Sequence, residues 1–245
     1  MKNNLFNIYV IGLDNTNVRF KNFIINNPYL DAKFFKGIDG KQIDKEERIK
    51  LNLIKSDCPL DLTDGSTGCA LSHRKLWEIT AQQKVGSLIL EDDVITHPKI
   101  VDFININYEG LMKFDITLFS VNSNSILDCT SPEGVRTLNH FYERYPKVDD
   151  IKKILGRTNI DSVKGFKLYM GFGHSAYFVS PEGAKLLKSK IFPFSGLPIR
   201  IPYVNENLIP VTQDIEANRY YPTMKAIVCN PFLAYTPNVE STTEF

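Results

Sequence analysis

The segment Ser87-Leu88-Ile89-Leu90-Glu91-Asp92-Asp93-Val94 limits what this chain can fold into more than any other stretch. A short apolar run of strand character passes directly into three consecutive carboxylates. Like charges at that spacing repel one another, and burying them unpaired is costly. Side chains alternate along a strand, so Glu91 and Asp93 are expected on one face and Asp92 on the other. That arrangement suits one divalent cation held by oxygen ligands beside a phosphate. The bland alternative is a strand end whose acids face water or cap the next helix.

The flanks alternate between strand and helix patterns. Residues 6–13 (FNIYVIGL) read as a first strand closing on the turn Gly12-Leu13-Asp14-Asn15. A helix is expected over 16–26, with Val18, Phe20, Phe23, Ile24 and Ile25 as apolar contacts and Pro28 beyond its end. A strand over 32–37, a helix over 45–53 and a polar loop over 56–68 follow. From Thr67 to Gln83, the residues Cys69, Ala70, His73, Leu76, Trp77 and Thr80 share one face at spacings of three and four, which predicts a helix. A helix over 98–112 and a strand over 115–120 come after the acids. This alternation predicts a mainly parallel sheet with helices on both sides. Ligands of such sheets gather beyond the carboxyl ends of the strands, where Asp14, Asp39 and the Glu91–Asp93 cluster fall. A nucleotide diphosphate there would need a cation at the acids to offset its charge.

The remainder is less regular. Residues 121–160 read as a polar loop with one helix near 149–155. Strands are expected over 167–172 and 175–179, around the turn that carries His174. Ser180 then caps a helix over 181–189 with Pro181 in its first position. Prolines 193, 198, 202 and 210 leave too few N–H groups for regular structure. Thr212 is placed to cap a short helix bearing Asp214, a last strand covers 224–229, and the tail after Pro231 is expected over the surface.

With 29 basic and 28 acidic residues, the chain has no charge bias of the kind nucleic-acid binding needs. Cys58, Cys69, Cys129 and Cys229 form no CxxC pair and read as ordinary thiols of a reducing compartment, not as a zinc site. No apolar run reaches the roughly 18 residues of a membrane span, and the N-terminus lacks a signal-peptide pattern. A soluble cytoplasmic protein is expected, with any membrane association peripheral.

Gly68-Cys69-Ala70-Leu71-Ser72-His73 followed by Trp77, then LILEDDV, then Gly171–Ser180 before Pro-Glu-Gly-Ala, resembles glycosyltransferase family 25. That family includes bacterial lipooligosaccharide glycosyltransferases and the collagen hydroxylysine galactosyltransferases. The opening IYVIGLDNTNVRF resembles the family's first strand and its Asp…Arg turn, which Asp14 and Arg19 match. Asp39-Gly40-Lys41 matches another block, and the likeness runs from about residue 6 to 235. The chain departs from the family at Gly12, where Asn is usual, and at Asn15 and Thr16, where Arg-rich residues are usual. The Pro-Val-Asp block appears as Pro210-Val211-Thr212-Gln213-Asp214, two residues longer.

The resemblance implies an α/β GT-A-like fold, related to the Rossmann type, with an irregular acceptor-side half. One domain over 1–245 follows, about 1–120 binding the nucleotide sugar and about 121–245 facing the acceptor. It also implies UDP-galactose or UDP-glucose as donor, Mn²⁺ or Mg²⁺, inversion at the anomeric carbon, and a glycan or glycolipid acceptor. The setting would be lipooligosaccharide or other surface polysaccharide synthesis, at the cytoplasmic face of the inner membrane. Asp93 and Glu91 are then the expected metal ligands. Asp14, Arg19, Asp39, Ser72, His73, Asp92 and His174 are the expected nucleotide-sugar contacts.

Asp214 is the expected general base, with Glu206 and Glu216 behind it. Each role has a structural alternative. Asp214 would favour a helix N-terminus in any case. His73 fits a hydrogen-bonded core position, His174 a tight turn, and Asp14 and Arg19 the start of the first helix. Ser72 is expected to hold its helix against the acid strand. A nucleotidyltransferase using the same acids is the competing enzyme, though no GxxxxGK[ST] loop is present. A catalytically silent glycan- or protein-binding relative is the competing non-enzyme.

Overall fold

The computed structural model describes residues 4–140, 144–202 and 205–237. Its first half follows the expected alternation. β1 (Asn7–Gly12) leads to α1 (Val18–Asn26), β2 (Lys33–Lys36), α2 (Lys45–Lys50), α3 (Asp64–Ala81) and β3 (Ser87–Glu91). β4 (Ile95–Thr96), α4 (Ile100–Ile106), α5 (Tyr108–Leu111) and β5 (Ile116–Leu118) come next. The helix expected over 98–112 is thus broken at Asn107, which ends α4 and precedes α5.

The second half holds β6 (Ile126–Thr130), β7 (Arg136–His140), α6 (Val148–Arg157), β8 (Lys164–Met170), β9 (Ala176–Val179) and α7 (Pro181–Ile191). β10 (Ile199–Arg200), β11 (Asn207–Leu208), α8 (Gln213–Ala217), β12 (Ala226–Asn230) and β13 (Ala234–Tyr235) complete it. The β6–β7 hairpin lies where a loop was expected. Its turn, Ser131-Pro132-Glu133-Gly134, closes with Gly134 N donating to Ser131 O, and the Asp128–Arg136 ion pair at 2.7 Å ties the strands. A two-stranded β10–β11 ribbon also forms within the proline-rich passage.

One sheet orders its strands β2-β1-β3-β9-β5-β12-β8-β6-β7. β1, β2, β3, β5, β6 and β12 run one way, and β7, β8 and β9 oppose them. Six of the sheet's nine strands point one way, but β7, β8 and β9 make five of the eight pairings antiparallel, so the sheet is mixed. With helices on both faces it agrees with a GT-A-like α/β fold. β9 sits between β3 and β5, so the two halves of the chain share a single sheet.

Period-two alternation sorts the core into layers. Ile89, Tyr177 and Val179 face α3 and α7, whereas Leu88, Leu90 and Phe178 face α1, α4 and α5. Leu88, Ile89 and Leu90 have no exposed surface, and each such side chain contributes about 1.5–3 kcal/mol of transfer free energy. Within α1 only Phe23 is buried, while Val18 and Ile25 are 73% and 69% exposed. The helix lays a single face on the sheet, and those two residues fall on the other.

Two further differences shape the site. α3 begins before Thr67, capped by Thr63, whose side chain accepts from Ser66 N. The tail after Pro231 does not lie over the surface. Leu233 and Ala234 are fully buried, and their N–H groups both donate to Phe119 O. β13 pairs antiparallel with β4, which brings Thr236 beside Asp93. Among the described residues, no helix is long and apolar enough to cross a membrane.

Candidate active site

A cavity of about 690 Å³ opens where β1, β2 and β3 end. Glu91, Asp92 and Asp93 line it together, with Arg19 from α1 and Cys69, Ser72 and His73 from α3. Its other residues include His174 at the entry to β9, Asp214 from α8 and Thr236 from the tail. A depression of similar volume, about 730 Å³, lies between α3 and α7 around Arg74, Glu78 and Lys188, away from the acids. Converging carboxylates, not size, identify the first as the site.

Strand alternation does not survive to the end of the acid run. β3 stops at Glu91, and Val94 N donates to Glu91 O at 3.2 Å, closing a turn. Asp92 and Asp93 therefore converge instead of facing apart. Arg19 Nε lies 2.6 Å from Asp92 Oδ1, and its Nη2 lies 3.0 Å from Asp93 Oδ2. Arg19 is thus the clamp of the cluster. Burial opposes its charge, but Asp93, Asp92 and Glu91 more than offset that and raise its pKa. Burial raises the Asp92 pKa despite the guanidinium. For Asp93, burial and then repulsion from Glu91 push the carboxyl up to about 6, against the pull of Arg19 and Thr236. Asp93 Oδ1 is buried with no hydrogen-bond partner among the described residues.

Gly12 is built for this cluster. A Cβ at that position would lie 2.7 Å from Asp92 Oδ2, so any side chain there would displace the carboxylate. The departure at Gly12 thus makes room for Asp92. Gly68 serves α3 in the same way. Its missing Cβ would fall 2.3 Å from Ile38 O, so the helix backbone can touch the loop after β2. Ser72 fastens that contact, accepting from Ile38 N at 2.8 Å and donating to Gly68 O at 2.6 Å. It therefore holds α3 against the β2 loop, whereas the sequence suggested the acid strand as its partner. Asp39 caps the 3₁₀ turn Gly40–Gln42 by accepting from Lys41 N at 3.1 Å, at the cavity lip.

His73 is fully buried and joins the core to the acids. The Trp77 indole can only donate, and it does so to the Tyr177 hydroxyl at 2.8 Å. Tyr177 then donates to His73 Nδ1, also at 2.8 Å. Nε2 carries the remaining ring proton and donates to Glu91 Oε1 at 3.3 Å. His73 therefore ties the buried Trp77–Tyr177 pair to the acid cluster.

On the α8 side, Asp214 Oδ2 accepts from Gly173 N at 2.8 Å and Oδ1 accepts from the Thr212 hydroxyl. Asn218, one turn on, accepts from Gly171 N at 2.7 Å. Thr212 spends its hydroxyl on Asp214 and makes no side-chain cap to the helix. His174 Nε2 meets the Tyr221 hydroxyl at 2.7 Å, and its buried Nδ1 has no partner among the described residues. Burial, and then His73, lower its pKa to about 3, so the ring stays neutral.

Not every expected residue reaches the cavity. Asp14 is exposed and accepts from the Thr16 N–H and hydroxyl, both at 2.8 Å, and these bonds lower its pKa. α1 is capped by Asn17, which accepts from Phe20 N at 2.8 Å. Glu216 is buried against Arg219 at 3.0 Å, and Glu206 is exposed in the β10–β11 ribbon. Neither lines the cavity. Asn122, Gln213 and Thr236 do line it, although nothing in their local sequence marks them. Cys69 lines it too, and its spacing of four residues from His73 on one helix face was a readable signal. Burial and then Glu91 and Asp214 raise its thiol pKa well above the usual value.

The model for glycosyltransferase family 25, described as an LPS biosynthesis protein family, matches residues 6–197. A glycosyltransferase 25 family member of Aedes aegypti is 28% identical over 191 residues, which are 74% of this chain and 27% of that protein. A provisionally named glycosyltransferase of Haemophilus influenzae is 26% identical over 138 residues, 55% of this chain and 48% of that protein. The chain thus matches about a quarter of one relative and about half of the other. Asp214 and Thr236 lie beyond the family match, which holds the acid cluster, Arg19, His73 and His174. With those residues gathered around one cavity and the match running through most of its length, the chain belongs to glycosyltransferase family 25.

Proposed function

We propose that this protein is a metal-dependent, inverting hexosyltransferase. It would move galactose or glucose from a UDP-sugar to a glycan or glycolipid acceptor, of the lipopolysaccharide kind that the family's description names. One observation carries the reading. Three carboxylates end β3 in a cavity with the Arg19 guanidinium against them, and one oxygen of Asp93 is buried without a hydrogen-bond partner among the described residues.

A hard cation such as Mn²⁺ or Mg²⁺ fits that all-oxygen donor set, and Asp93 and Glu91 would hold it. When bound, such an ion supplies positive charge to a departing diphosphate. The chain's own residues do the rest. Arg19 keeps Asp92 and Asp93 together, and the His73 Nε2–H group fixes Glu91. His174 lines the wall beside which the sugar would lie, and Asp39 and Ser72 shape the lip for the nucleotide.

Asp214 takes the proton from the acceptor hydroxyl. The acceptor oxygen bonds to the anomeric carbon as the bond to UDP breaks on the opposite face, which inverts the configuration. The proton then passes from Asp214 to water. Asp14, outside the cavity, has no part.

UDP release from UDP-galactose and UDP-glucose, with and without Mn²⁺ and candidate glycan acceptors, tests this reading. Release that requires Mn²⁺ and acceptor and vanishes in Asp93→Asn supports it. Release independent of metal would reject the metal assignment, and transfer of a nucleotide in place of a sugar would reject the reaction.

A further inference from the structure

We propose a second metal site in the cavity wall, formed by Cys69 Sγ, His73 Nε2 and Glu91 Oε1, that takes a borderline divalent ion such as Zn²⁺ and excludes the hard ion. The donor atoms of these residues lie within 4.8 Å of one another. A sulfur, an imidazole nitrogen and a carboxylate oxygen form a set that suits zinc or cobalt and is poor for manganese or magnesium. Cys69 and His73 stand one turn apart on α3, and Glu91 ends the neighbouring strand, so rigid elements hold all three.

The surroundings suit the ion as well. Nε2 is the His73 nitrogen that points at Glu91, and Nδ1 points at the Tyr177 hydroxyl at 2.8 Å. Once a metal takes Nε2, the ring proton moves to Nδ1 and is donated to Tyr177. That oxygen has lone pairs enough to accept from both His73 and Trp77, while its own proton gives up its bond to Nδ1. Gln213 Nε2 lies 3.4 Å from Cys69 Sγ and would donate to the thiolate. As the metal–sulfur bond forms, the thiol proton leaves to solvent, so one proton is released per ion bound. The fourth position opens on the cavity, leaving room for water, as in zinc sites with three protein ligands. The sequence suggested ordinary thiols, and Cys58, Cys129 and Cys229 remain so, buried in the core.

The consequence for activity rests on the reading above, in which Glu91 also serves the hard cation. Zinc drawing Glu91 toward Cys69 and His73 would compete with the hard cation for that carboxylate, so zinc at this site would inhibit transfer.

Co²⁺ added to the intact protein is the probe, because thiolate ligation gives a near-ultraviolet charge-transfer absorption that oxygen ligands alone do not. The wild type should show this absorption with a single Co²⁺ bound. Cys69→Ser should lose it, and Zn²⁺ affinity should fall by at least the roughly 10–100-fold that removing even an outer partner costs. Circular dichroism verifies that Cys69→Ser is folded, and His73→Asn supplies a second variant expected to lose the absorption. No absorption in the wild type, or its persistence in folded Cys69→Ser, would overturn the site.

Asp93→Asn should keep the cobalt absorption while losing Mn²⁺ binding. If the wild type binds no Mn²⁺, the carboxylate reading fails while the cobalt result still decides this one. Saturating Zn²⁺ should weaken Mn²⁺ binding by at least about tenfold, comparable to the loss of a supporting ligand. Independent binding would refute the sharing of Glu91.

Discussion

On the β3 side of the cavity, three carboxylates meet the Arg19 guanidinium, the His73 imidazole and Thr236, and one Asp93 oxygen has no hydrogen-bond partner among the described residues. On the α8 side, Asp214 and Asn218 each hold a backbone N–H of the Gly171–Gly173 turn, and His174 stays neutral. The first wall keeps surplus negative charge at an energetic cost, and a cation would relieve it. In the second, one hydrogen bond to each oxygen of Asp214 orients the carboxylate and leaves lone pairs for a proton. Ion binding and hydrogen-bonded positioning thus reside on separate strands and helices, and mutations can address them separately.

The largest separation is expected from Asp93→Asn. It should lower turnover by at least the roughly 10²–10³-fold seen when a transition-state charge stabiliser is lost, and should abolish Mn²⁺ binding by calorimetry. Full Mn²⁺ affinity in that variant would erase the distinction between the walls. Asp214→Asn should cut kcat by roughly 10²–10⁴-fold with UDP-sugar affinity unchanged. A rise in KM with kcat intact would instead make Asp214 a donor contact.

Arg19→Met leaves two buried acids uncompensated, which costs about 3–5 kcal/mol in urea unfolding. Added Mn²⁺ should return part of that loss in Arg19→Met and little in the double variant with Asp93→Asn. Equal recovery in both would show that the cation binds elsewhere.

A pH series probes the α8 side. The His174 imidazole takes a proton at about 3 when folded and at 6.5 when unfolded. The stability this group contributes is therefore complete above the unfolded value and drains as pH falls toward the folded one. By about pH 4 the wild type should lose on the order of 3 kcal/mol relative to His174→Gln. Asp93 titrates in the same window with the opposite sign, so the difference between the two proteins is the quantity to follow. Parallel curves would place His174 in contact with water.

Gly68→Ala, which drives a methyl toward Ile38 O, should destabilise by about 1–3 kcal/mol, the least of these effects. A neutral result would mean that the β2 loop yields easily.

The β3 wall was legible in the sequence because Leu88, Ile89 and Leu90 run into acids that local chemistry alone makes costly. The convergence of Asp92 and Asp93 was not, since it depends on a turn at Glu91 and on Arg19, some seventy residues earlier. On the α8 wall the sequence offered Asp214 as a candidate base on a short helix and His174 on a turn, but not the bonds that join helix and turn. The partners Gly171 and Gly173 come from a distant turn, and no periodicity announces them. The β6–β7 hairpin escaped notice because a polar, charged strand at a sheet edge resembles a loop. Burial of the tail depends on hydrogen bonds to Phe119 O, a contact across more than a hundred residues.

The interposed β9 bears on how this protein can be taken apart. Because residues 176–179 zip together strands that were synthesised much earlier, cutting the polypeptide near residue 120 would leave an N-terminal fragment with an unpaired edge at β3 and a C-terminal fragment lacking the strands β9 joins. Fragment complementation at that point should therefore yield either both pieces reassembled or neither one folded.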